Sequence, residues 1–94
     1  MFEELDPLLH SQIRLAVMSV LISVESAEFN HLLDKTGATR GNLSVQISKL
    51  QEAGYIDVKK SFRNNYPLTT CKVTQKGIDA FEKYVRALQG YLQR

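Results

Sequence analysis

The run "TRGNLSVQISKLQEAGYI", residues 39–56, sets asparagine, serine, glutamine and lysine among apolar residues at helical spacing. Amides and hydroxyls match the donors and acceptors of base edges, lysine reaches phosphate or guanine, and a small aliphatic side chain rests against a thymine methyl. At about 100° per residue, Leu43, Ile47 and Leu50 fall within one narrow arc. The opposite arc holds Gly41, Val45, Ser48, Lys49 and Glu52, with Asn42, Ser44 and Gln46 on its flanks. Val45 is therefore an aliphatic residue on the polar side. A single exposed aliphatic is ordinary on any protein surface; within this polar arc it is a candidate contact to a nucleic-acid base edge. The free amides near Arg40 and Asn42 form a partial positive charge suited to a phosphate, and Thr39 is placed to cap that helix start. Arg40 has no acid nearby in the local sequence, which leaves it for a phosphate or for solvent.

The elements around this helix follow from spacing and punctuation. Asp6 before Pro7 predicts a first helix over about residues 7–24, because the aspartate caps free amides and proline tolerates the first turn. Leu9, Ile13, Val17, Val20 and Val24 form one stripe on it, and Leu15, Met18 and Ile22 a second, so it is expected to be buried on two sides. That second side meets either the core or a partner subunit. Ser26 is expected to cap a short second helix with Phe29, Leu32 and Leu33 on its apolar face and Gly37 as its stop. Thr39 then opens the third helix, which ends at Gly54. Two short helices separated by "TGAT" are a helix-turn-helix pattern.

After Gly54 the period changes from 3.6 to 2. Ile56, Val58 and Phe62 alternate with Asp57, Lys59 and Ser61, predicting a strand with one buried face. "RNNYPL" reads as a turn, since asparagine tolerates turn geometry and Pro67 cannot extend a central strand. "TTCKVT" predicts the returning strand, with Cys71 and Val73 on one face and Lys72 on the other. Thr74 caps a last helix over about residues 75–93, where Ile78, Phe81, Val85, Leu88 and Leu92 are spaced 3, 4, 3, 4 as in a heptad seam bordered by Tyr84 and Tyr91.

Ninety-four residues make one domain with a small core. With 44% hydrophobic and 23% charged residues the composition is that of a globular chain. The longest largely apolar stretch, residues 13–24, is too short for a membrane span, and the acidic start "MFEELDP" is unlike a secretory signal. A cytoplasmic location is expected. The single cysteine, Cys71, excludes an internal disulfide and any cysteine-paired metal site. The net charge of +2 is unevenly spread: residues 1–34 hold one basic residue, Arg14, against six acids, whereas residues 35–76 hold eight basic residues against two acids. The middle of the chain is a basic block, as expected of a partner-facing side.

"GNLSVQISKLQEAGYIDVKK", followed by "TTCKVTQKGIDAFEKY", resembles the winged helix-turn-helix transcription regulators of the MarR/ArsR superfamily, especially the small single-domain members. "LDPLLHSQIRLAVMSVL" is similar to their first helix, so the likeness covers the chain from Leu5 onward. It implies a mostly helical α+β fold of three helices, a two-stranded β-hairpin wing and a long C-terminal helix. It also implies that the third helix lies in the major groove and that the wing touches the minor groove or the backbone. Carried over by position, Asn42, Ser44, Val45, Gln46 and Lys49 face the groove. Arg63, Asn64 and Asn65 sit at the tip of the wing, flanked by Lys60 and Lys72. An arginine at such a tip can enter a narrow, electronegative minor groove; hairpin lysines also serve as solubilising edge charges.

The chain departs from the metal-sensing members, which carry paired cysteines on a DNA-binding helix. No Gly-rich phosphate loop, metal-ligand spacing or catalytic constellation is visible. His10 and His31 lie far apart, and Cys71 reads as a small buried hydrophobe, so neither an enzyme nor a cofactor is expected. No polar cluster marks a small-molecule effector. The seam Ile78, Phe81, Val85, Leu88, Leu92 either packs on the first helix within one chain or forms a homodimer. A domain of this size has little core to spare, which favours the dimer. The expected partner is double-stranded DNA, bound by a homodimer at a pseudo-palindrome; the competing expectation is a winged-helix module that binds protein.

Overall fold

A computed structural model describes residues 2–93. The order of elements is α1 (Gln12–Val24), β1 (Ser26–Glu28), α2 (Phe29–Thr36), α3 (Arg40–Glu52), β2 (Ile56–Arg63), β3 (Tyr66–Val73) and α4 (Gln75–Leu92). This is a mostly helical α+β fold of the winged-helix type, with a three-stranded antiparallel sheet in the order β1-β3-β2.

The first helix begins at Gln12, not at Pro7. The Asp6 side chain accepts from the Leu8 amide at 2.9 Å, and its carbonyl accepts from the amides of Leu9 and His10. These bonds close a separate turn, and the chain is extended at Ser11 before α1 starts. The turn drives Leu9 into the core, and the Arg14 guanidinium donates to the Leu8 carbonyl at 2.6 Å, pinning turn to helix. On α1 itself Val17, Met18 and Leu21 are buried, while Ile22 and Val24 at its far end face solvent.

Ser26 does not cap α2. It begins β1, where Ala27 pairs with Cys71 of β3, and Glu28 occupies the N-cap position of α2 without a side-chain cap bond. A three-residue strand has no periodicity to betray it; the free edge of β3 creates it. Pro67 likewise lies inside β3, opposite Phe62. Because β1 covers only Thr70 to Lys72, Pro67 stands where β3 has a neighbour on one side only, a position that tolerates a missing amide donor. The turn is correspondingly tight: Asn64 and Asn65 carry φ of 51° and 67°, the left-handed pair that a two-residue hairpin connection requires.

The alternation of β2 holds only at its root. Ile56 is buried and Val58 half-buried, but Phe62 is 76% exposed, because the hairpin outruns the helices that cover it. Cys71 and Val73 are buried and Lys72 faces out.

Thr74 caps α4 by accepting from the Gly77 amide at 3.0 Å, and its hydroxyl donates to the Gly54 carbonyl at 2.6 Å. Gly77 packs directly on the backbone of Tyr55: a Cβ there would lie 2.2 Å from the Tyr55 carbonyl oxygen. The buried side of α4 is Gly77, Tyr84 and Ala87, so Tyr84 is central where the sequence pattern set it at a border. The reason is the N-terminal segment, which lies along α4. Tyr84 Oη meets His10 Nδ1 at 2.9 Å, Tyr91 Oη donates to the Glu3 carbonyl, and Phe2 stacks on Tyr91. Tyr55 Oη donates to Asp6 at 2.5 Å. Among the described residues no helix is long and apolar enough to cross a membrane.

Candidate nucleic-acid interface

Thr39 Oγ1 accepts from the Asn42 amide at 3.2 Å and starts α3 where the sequence places it. Burial of Leu43, Ile47 and Leu50 fixes the roll of the helix, and Val45, diametrically opposite, is 52% exposed. Asn42, Ser44 and Lys49 are exposed around it. The polar face is therefore presented to solvent with Val45 at its centre.

Two of its polar groups are already held. Gln46 is half-buried; its Oε1 accepts from the Arg14 guanidinium and its Nε2 donates to Asn42 Oδ1 at 2.9 Å. This chain from α1 orients both amides and leaves the Asn42 amide nitrogen, a pair of donors, directed by the network. Arg40 donates to Asn30 Oδ1 at 3.0 Å and stands over the Phe29 ring. It braces α3 against α2 while remaining exposed.

Between α3 and the hairpin runs a cleft of about 400 Å³. Ser44, Ser48 and Gln51 of α3 form one wall, Val58, Lys60 and Pro67 the other, and Glu28 and Arg40 lie at its end. At the hairpin tip Arg63 pairs with Glu28 at 3.0 Å. The Arg63 side chain is 62% exposed and that of Glu28 42%, so solvent screens the pair and a phosphate can compete for Arg63. Asn64 and Asn65 form the tip. Lys72 does not flank it: β3 places Lys72 at the root, opposite Asp57 and beside Ser26.

Arg14, Glu28, Ser48 and Gln51 belong to this region without having been singled out as contacts. Arg14 had a visible signal, being the lone cation in an acidic first third of the chain. The pairing of Glu28 with Arg63 spans the sheet and has no local signature.

Of the seam on α4, Ile78, Phe81 and Leu88 pack partly against the core, Val85 is half-buried and Leu92 is 69% exposed. Cys71, in the central strand β3 between Ala27 of β1 and Val58 of β2, is fully buried, and burial pushes its thiol up to about 11. Such a thiol stays protonated and unreactive at neutral pH.

A profile of the family described as "Winged helix DNA-binding domain" matches residues 13–92. An uncharacterized protein of Methanocaldococcus jannaschii is 37% identical over 76 residues, covering 81% of this chain and 83% of its own. Among solved structures, a transcriptional regulator homologue from Pyrococcus horikoshii OT3 superposes with a TM-score of 0.84 at 24% identity, over 90% of this chain and 84% of that one. A MarR-family transcriptional regulator from Silicibacter pomeroyi gives 0.69 at 14% identity, over 88% of this chain and 55% of that one. At these identities the structural matches establish a shared fold.

Proposed function

The chain belongs to the winged helix DNA-binding domain family, and from that premise we propose that it is a transcription regulator that binds duplex DNA as a homodimer at a pseudo-palindromic site. The observation that carries this reading is the outward face of α3. It is polar, centred on the exposed Val45, and bordered by a cleft whose far wall is a cationic hairpin. A helix and a two-stranded ribbon set side by side fit adjacent features of a duplex.

In this reading Asn42, Ser44, Val45 and Lys49 meet base edges in the major groove. Gln46 positions Asn42 and reads a base with what remains of its amide. Thr39 and Arg40, at the start of α3, take a phosphate. Lys60, Arg63, Asn64 and Asn65 follow the neighbouring minor groove or backbone, with Arg63 leaving Glu28 as it does so. Lys72, at the hairpin root, adds long-range attraction. Ile78, Phe81, Val85, Leu88 and Leu92 pair two copies, setting two α3 helices about 10 base pairs apart, or a multiple of that, along one side of the DNA.

Selection of bound sites from a random duplex library tests this directly. The expected result is an enriched sequence with two-fold symmetry, bound with an affinity that falls steeply as salt rises. Failure to retain any duplex at low salt would overturn DNA binding and favour a protein-binding module. A monomer in sedimentation at high micromolar concentration would remove the dimer.

A further inference from the structure

We propose that Phe62, with Pro67 beside it, is an apolar wedge that enters a base step of the bound duplex and bends the DNA; this rests on the DNA-binding reading above. Phe62 is 76% exposed and Tyr66 75% exposed, on either side of the two-residue turn at Asn64 and Asn65. Exposed aromatics at a hairpin tip are a solubility liability, and no element of the described chain covers them.

The register assigns the two aromatics different faces. Phe62 pairs with Pro67, and Arg63 pairs with Tyr66. Pro67 also lines the cleft against α3, together with Val58 and Lys60 from the same face of the hairpin. Phe62 therefore continues that cleft wall outward, beyond the reach of α3 and toward whatever α3 is docked on. The turn at Asn64 and Asn65 adds no bulk beyond two short side chains, so the advancing edge is narrow.

Charge chooses the occupant. The hairpin carries Lys59, Lys60, Arg63 and Lys72 against a single acid, Asp57, and that acid lies at the root opposite Lys72. An apolar tip set in cations complements a polyanion whose interior is stacked and apolar. A second copy of this chain would bring the same cations against themselves. Phenylalanine and proline are side-chain types that unstack base steps from the minor groove, kinking the duplex by about 20–90°. The contact would also make the protein sensitive to step flexibility at base pairs that α3 never touches.

The test uses duplexes recovered by selection with the full chain, end-labelled with a donor and acceptor dye, and saturated with wild type, Phe62→Ala or Phe62→Leu. Wild type is expected to shorten the end-to-end distance as a kinked duplex would, Phe62→Leu to retain most of the shortening, and Phe62→Ala to lose most of it. Because Phe62 is in solvent, Phe62→Ala should keep the wild-type circular dichroism and the same selected bases beneath α3, losing only the preference at the wedged step, with affinity lowered by about tenfold or less. Straight DNA under saturating wild type, or equal bending by Phe62→Ala, overturns the wedge while leaving DNA binding intact. If selection recovers no duplex, both readings fall together.

Discussion

α3 and α4 both start from a threonine whose hydroxyl accepts from the amide three residues on, Asn42 in one and Gly77 in the other. From there they diverge. α3 buries a narrow stripe and gives the rest of its surface to exposed polar groups around Val45. α4 buries Gly77, Tyr84 and Ala87 and leaves an apolar edge that its own chain covers only in part, from half-buried Val85 to exposed Leu92. A polar outward face is stable as it stands; an apolar one at the limit of a small core is stable when something adjoins it. Identical start signals thus say nothing of the work a helix does, which depends on what its uncovered side is made of.

Four experiments sharpen or break this contrast. Leu43→Ala removes a side chain with no exposure from beneath α3 and should cost about 3 kcal/mol in urea unfolding, whereas Leu92→Ala on α4 should cost little at concentrations where the protein is monomeric. Equal losses would erase the distinction. Val85→Glu should leave the isolated fold close to wild type but lower affinity for a two-half-site duplex by about 100-fold, since two linked contacts become one. Affinity unchanged would overturn the proposed pairing through this seam. Thr39→Ala and Thr74→Ala should each cost about 1 kcal/mol, with Thr74→Ala the more damaging because its hydroxyl also holds the Gly54 carbonyl.

The smallest effect concerns the segment packed along α4. Burial, the hydrogen bond to Asp6 and the charge of Asp6 together push the Tyr55 hydroxyl from 10 up to about 12. The folded state thus favours neutral Tyr55. Its contribution is complete below pH 10 and is lost as pH rises through about 12. Tyr55→Phe should flatten that part of the alkaline stability profile, and an unaltered slope would mean that the bond to Asp6 adds nothing.

The fold is legible in the sequence where structure is local. Thr39 and Gly54 bracket α3, Thr74 opens α4, and Cys71 and Val73 turn inward from β3, all as side-chain chemistry and period dictate. What depends on distant partners leaves no such mark. Ser26 is in a strand because β3 offers an edge to it. Pro67 extends β3 because β1 stops short of it. Phe62 stays outside because alternation records which face a residue is on, not whether anything lies over that face. At the candidate interface, the outward residues of α3 could be named from angular position alone, but the bond from Arg14 to Gln46 and the pairing of Arg63 with Glu28 cross between elements and left no trace in spacing.

The contact of Gly77 with the Tyr55 carbonyl reaches further than local packing. It joins the start of α4 to the root of the hairpin with no side chain interposed, so the two move as one piece. In a pair of copies joined through α4, a lever arm of this kind converts a small change of angle at its pivot into a large change in separation at its ends. A methyl group added at the pivot would force the Tyr55 carbonyl aside like a shim, and in a pair of the kind proposed the distance between the two α3 helices would change while their surfaces stayed the same.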